Sequence, residues 1–172
     1  MIYTWNQDPA KLFNALRDLI SDGTINPGEI EVRFYGRKVA WLERQIQQYG
    51  LSEVAKHYGT VAKETAKAKQ VETPLLLVLD WDDPKERGIY TYKIFEYLGA
   101  RRPVLATGGQ KGDIVATLLS ETKAGIHAPS VEDIKSALRE FYQEYKLKGE
   151  ATYKGEELKS KQPKQQRMLK SM

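Results

Sequence analysis

Pro74-Leu75-Leu76-Leu77-Val78-Leu79-Asp80-Trp81 is the stretch that decides the fold. Unbroken aliphatic residues from Leu75 to Leu79 leave no side for water, so the run predicts a strand buried on both faces, the condition of a central strand in a parallel sheet. Next comes Thr91-Tyr92-Lys93-Ile94-Phe95-Glu96-Tyr97-Leu98, with Ile94, Phe95 and Leu98 at helical spacing and Thr91 placed to cap. Gly99 is expected to end this helix, and Pro103 to open an apolar strand over 103–107. A buried strand, a helix and a second apolar strand make one βαβ unit.

The pattern extends in both directions. Towards the amino terminus lie a polar helix at 62–70 and a strand, Val54 to Tyr58, stopped by Gly59. Before them come a helix marked by Leu42, Ile46 and Tyr49, an alternating strand at 29–36, and the turn Asn26-Pro27-Gly28. Asp8-Pro9 starts a helix whose stripe is Leu12, Phe13, Leu16, Leu19 and Ile20, and Ile2-Tyr3-Thr4 reads as the first strand. Towards the carboxyl terminus, the loop Gly108-Gly109-Gln110-Lys111-Gly112 leads to a helix capped by Asp113. A strand at 125–128 follows, then a helix from Ser130 with Ile134, Ala137, Leu138, Phe141 and Tyr145 inward. Six strands alternating with helices, with no two-residue hairpin turn, predict an α/β fold. It is a doubly wound, six-stranded parallel sheet of Rossmann-like kind, with ligand at the strands' carboxyl ends beside the switch between first and fourth strands.

A length of 172 residues suits one domain, read as 1–150, followed by a basic tail or helix at 151–172 that Pro163 interrupts. The net charge is +4. Residues 146–172 hold eight Lys and Arg against three Glu, so the body is close to −1 and has no general attraction for polyanions. A nucleic-acid partner is therefore not expected, while the tail leaves room for peripheral contact with anionic lipid. No stretch approaches the roughly 18 apolar residues of a membrane span. The absence of cysteine excludes disulfides and thiolate metal sites, and with no visible secretory signal it fits a cytoplasmic protein.

Lys93 and Glu96 stand three apart on one helical face near the positive end of their helix. A cation with free backbone N–H groups suits a phosphate, and a carboxylate one turn on suits the paired hydroxyls of a sugar. The plainer reading is an exposed ion pair. Asp80 and Asp82 have the spacing of a metal-binding pair, or of the nucleophile and acid of a haloacid-dehalogenase-like phosphatase; solvated loop carboxylates are the plainer reading. The 108–112 loop suits a phosphate, a donor sugar, or a simple connection. His57 and His127 lack ligand spacing, Ser120 lacks the glycines of a nucleophile elbow, and Trp5 and Trp81 fall at strand ends where an indole stacks on a base or packs.

The order of these segments resembles the nucleotide-sugar-binding carboxyl-terminal half of GT-B glycosyltransferases, family four in particular. The resemblance covers roughly 2–155 and is sharpest from Asp80 to Gly125, through Lys85-Glu-Arg-Gly-Ile-Tyr-Thr-Tyr-Lys-Ile-Phe-Glu-Tyr-Leu98, Pro103-Val-Leu-Ala106, Gly112-Asp113 and Glu121-Thr-Lys-Ala-Gly125. It implies that Glu96 binds the nucleotide ribose and that Lys93, Tyr92 and Thr91 hold the diphosphate. Gly59 and Val61 would line the base. Gly36 and Gly88 belong to the implied donor site, Gly88 standing where the family often has a second glutamate. The implied activity is transfer of a hexose from UDP-, GDP- or another nucleotide sugar to an acceptor, with retention and without a metal or cofactor. An amino-terminal acceptor-binding half would be the partner, and without it the chain would bind donor but transfer little. The family's basic turn after the first strand is replaced here by Thr4-Trp5-Asn6-Gln7, with no cation until Lys11. A non-catalytic nucleotide-binding module is the other reading.

Overall fold

The computed structural model describes residues 7–80, 82 and 92–155. Helix α1 (Ala10–Ser21) opens where Asp8 Oδ1 accepts the Ala10 N–H at 2.9 Å, and its stripe is buried at Leu12, Phe13, Ala15, Leu16 and Leu19. Asn26 accepts the Gly28 N–H in a 3-10 turn over Pro27–Glu29. Strand β1 (Val32–Tyr35) therefore begins later than the alternation at 29–36 predicts, because Glu29 is held in that turn. Helix α2 (Ala40–Gln48), strand β2 (Ala55–Gly59) and helix α3 (Lys63–Glu72) follow.

Strand β3 (Leu76–Leu79), helix α4 (Tyr92–Ala100), strand β4 (Val104–Thr107), helix α5 (Ile114–Thr122) and strand β5 (Gly125–Ala128) come next. Helix α6 (Val131–Lys148) is started by a reciprocal cap between Ser130 and Asp133 and stopped at Gly149 (φ 76°). Cap and stop both match the residues' preferences.

All strand pairs are parallel. β1 pairs with β2, and β3-β4-β5 form a second set in register, Leu76 beside Val104 beside Gly125. The fold is α/β and Rossmann-like in kind, but the six-stranded doubly wound sheet is not what the described residues form. They give five strands in sets of two and three, and the first strand at Ile2–Thr4 lies outside them. Nothing among the described residues pairs the second edge of β1 or of β3, so the two sets are joined through side chains instead.

One cluster carries Leu12, Phe13 and Leu16 of α1, Phe34 of β1, Leu42 and Ile46 of α2, Leu105 of β4 and Ile134 of α6; Leu75, Leu77 and Leu79 pack against it. On the opposite face, Leu76, Val78, Val104 and Ala106 bury with Ile94 and Leu98 of α4 and Val115, Leu118 and Leu119 of α5. The aliphatic run of β3 thus serves two cores at once, as its composition predicts. β1 and β2 differ: Phe34 and Ala55 point into the first core, while Arg33, Lys56 and Tyr58 are exposed. Helix α3 buries none of its residues, which accounts for its polar composition. Ala151 joins the first core and Tyr153 packs on the second.

Two local expectations are corrected on α4. Phe95, predicted inward, is 37% exposed, because Ile94 and Leu98 alone fill the face towards β3 and β4. Gly99 does not end the helix. Ala100 is still helical, and the left-handed residue is Arg101 (φ 53°). Gly99 has open space where a Cβ would stand, whereas a Cβ on Gly125 would lie 1.9 Å from the Val104 carbonyl oxygen. Gly99→Ala is therefore expected to raise stability by about 0.5–1 kcal/mol. Gly125→Ala is expected to lower it by at least about 1–3 kcal/mol, both read from urea unfolding midpoints at constant slope.

Candidate functional site

In a parallel sheet the connections leave every strand's carboxyl end on one edge, and the chemistry-bearing residues of this chain gather at such ends. After β3, Asp80 extends the ladder by donating its N–H to the Thr107 carbonyl at 2.8 Å, and it is 4% exposed. Its carboxylate lies under the loop that leaves β4. A Cβ on Gly109 would stand 2.7 Å from Asp80 Oδ2, and one on Gly108 would stand 2.9 Å from the Asp80 carbonyl oxygen. Both glycines also adopt positive φ, 86° and 71°. Their places are fixed by sterics and backbone conformation together.

Asp82 Oδ1 accepts from Lys11 Nζ at 2.7 Å and from the Gly109 N–H at 3.1 Å, while Lys11 also donates to the Pro129 carbonyl at 3.0 Å. One lysine of α1 and one carboxylate thereby clip together the segments leaving β3, β4 and β5. Sequence spacing alone gives no sign of this clip, because its members lie as far apart as residues 11 and 129. From β5, buried His127 directs Nε2 to the Gly108 carbonyl at 2.9 Å, with Asp80 Oδ2 4.0 Å away. A carbonyl is acceptor-only, so this contact places a proton on Nε2. The 108–112 loop is thus a held connection rather than a loose one. Among the described residues no group of three or more His, Asp or Glu is placed to hold a metal ion.

The residues implied to bind a nucleotide fall into two groups. Gly36 and Gly59 end β1 and β2 and are joined directly, the Gly36 N–H donating to the Gly59 carbonyl at 2.9 Å. Val61 follows in the connection to α3. Lys93 and Glu96 lie on the first turns of α4, between β3 and β4, with Glu96 and Tyr92 exposed and Lys93 half-buried. Gly36 and Gly59 belong to the two-stranded sheet, while Lys93 and Glu96 flank the three-stranded one, and α3 packs against α4 between them in sequence. Thr91 and Gly88 lie outside the described residues, as do Trp5 and Trp81. His57 sits on β2 with a buried Nδ1 that has no hydrogen-bond partner among the described residues, and Ser120 is exposed near the end of α5.

Burial acts on both neighbours of Glu96. It pushes the Lys93 ammonium below its usual range, with the Glu96 charge working the other way, and it pushes the Tyr97 hydroxyl up to about 12. A lysine whose folded-state value is depressed binds fewer protons folded than unfolded. Its favourable contribution is present above the usual lysine value of 10.5 and is lost as pH falls through the lowered one. At neutral pH the ammonium is therefore a partly desolvated charge, which an anion beside it would stabilise.

Two measurements check this description. Glu96→Gln is expected to lower the Lys93 titration midpoint further, read by NMR of the lysine side chains, because it removes the one charge that supports the cation. Asp82→Ala is expected to cost about 1 kcal/mol, the scale of a half-exposed ion pair with one backbone bond, and to accelerate hydrogen exchange at the Gly109 amide. Comparison with protein-family models and with curated proteins finds no match to this chain.

Proposed function

We propose that the chain is the donor-binding domain of a GT-B-like glycosyltransferase, holding a nucleoside diphosphate sugar at the carboxyl edge of its sheet. The single observation that carries this reading is the half-buried Lys93 paired on one helical face with the exposed Glu96. The ammonium is partly stripped of water at a helix start, which suits a diphosphate. The carboxylate one turn further offers two oxygens to vicinal ribose hydroxyls. Gly59 and Val61, with Gly36 bonded to Gly59, supply a turn without bulk against which a flat base lies.

The chemistry follows from charge. The bond between the anomeric carbon and the diphosphate breaks, the sugar passes through an oxocarbenium-like state, and a new bond forms to an acceptor hydroxyl. Negative charge grows on the departing diphosphate, and Lys93 with the α4 N–H groups stabilises it electrostatically without a metal. Retention of configuration, a hexose as the transferred sugar, a cytoplasmic setting and peripheral contact with a membrane through the basic tail belong to the same proposal. No helix among the described residues is long and apolar enough to cross a membrane. A separate acceptor-binding half completes the enzyme, so this chain alone binds donor and transfers little.

Thermal unfolding with added nucleotide tests the reading. UDP or GDP at ten times its Kd is expected to stabilise the chain by about 1.4 kcal/mol, a rise in Tm of about 3–6 °C. Glu96→Ala is expected to abolish most of that shift while leaving the nucleotide-free Tm within a degree or two. No shift with either nucleotide overturns the proposal. Magnesium-dependent hydrolysis of a phosphate ester that Asp80→Asn abolishes would replace it with the phosphatase reading.

A further inference from the structure

Lys38 stands in the turn that follows β1, exposed, and among the described residues its ammonium makes no hydrogen bond or ion pair. Its aliphatic stem has a defined place all the same. It lies across Gly59, where a Cβ would stand 3.7 Å from Lys38 Cε and 3.9 Å from Cγ. Gly59 is held at φ +83°, and its carbonyl is fixed by the Gly36 N–H. The ends of β1 and β2 and the lysine stem therefore form one surface, with a donor-only charge at its rim.

We propose that Lys38 selects the base of the bound nucleotide, favouring uracil or guanine over the amino bases cytosine and adenine. The inference rests on the proposed donor site, in which the Gly59–Val61 turn lines the base. A planar base laid on Gly59 shares that surface with the Lys38 stem, which brings the ammonium to its edge. An ammonium has three donors and no acceptor. The keto oxygen of uracil or guanine accepts from it, whereas the amino group at the equivalent ring position presents hydrogens to it. Donor facing donor desolvates the ammonium without replacing its bonds to water, and this penalty produces the discrimination. A hydrogen-bonding site of this kind excludes the wrong base partly by repulsion.

Titration calorimetry of the 172-residue chain with UDP, CDP, GDP and ADP tests the assignment. UDP and CDP differ at the edge in question, as do GDP and ADP. The unmodified chain is expected to prefer the keto member of at least one pair by about tenfold or more. Lys38→Met keeps the stem and removes the charge, and it is expected to bring that ratio close to one by weakening the keto nucleotide alone. Lys38→Arg is expected to retain the preference. If Lys38→Met weakens all four nucleotides equally, the lysine binds phosphate and the inference fails. An unchanged ratio overturns it as well, while Glu96-dependent binding leaves the donor site standing. If none of the four binds, the donor-site reading falls and this inference falls with it.

Discussion

Burial of strand β4 on both faces is the constraint on which the rest of the structure depends. All four residues, Val104 to Thr107, are buried, with Leu105 turned to one core and Val104 and Ala106 to the other. A strand in that position has no face for solvent, so helices must cover both sides, and the connections between its neighbours must cross over as helices. α1 and α6 supply one cover, α4 and α5 the other. Parallel pairing then sends the outgoing segments of β3, β4 and β5 to the same edge. The Lys11–Asp82 clip, the Gly108–Gly109 turn and His127 all meet there.

Legibility in the sequence follows how local the physical cause is. The aliphatic run at Leu75–Leu79, the Asp113 and Ser130 caps and the stripe of α1 are all stated by neighbouring residues, and each element forms where these signals lie. Gly99 misleads because a glycine is only permissive. Arg101 takes the left-handed turn instead, once Leu98 is packed and the chain must turn towards β4. Phe95 misleads because a helix of nine residues needs only two deep anchors on this sheet. The assembly of strands into sets of two and three was not legible, since it depends on which edges meet across the fold.

The candidate site divides in the same way. Lys93 and Glu96 are adjacent on a helix, so their pairing is visible at a spacing of three. The depression of the Lys93 ammonium depends instead on burial in the tertiary fold. Lys11 is the clearest case of what sequence does not give. Its contacts with Asp82 and the Pro129 carbonyl need α1 seated across the sheet, and only the folded chain brings them together. Lys38 lies between these extremes: its neighbour Gly36 ends the same strand, but Gly59 reaches it only through β1–β2 pairing.

The central claim is that the sheet edge near Lys93 and Glu96 receives a nucleoside diphosphate whose base lies towards Gly59. Backbone amide shifts recorded during a UDP or GDP titration test it most directly. The account predicts that the largest changes fall at Gly36, Gly59, Val61, Lys93 and Glu96 together, with helix α6 almost unmoved. Saturable changes confined to the Asp80, Gly109 and His127 surroundings, or spread along α6, would contradict it.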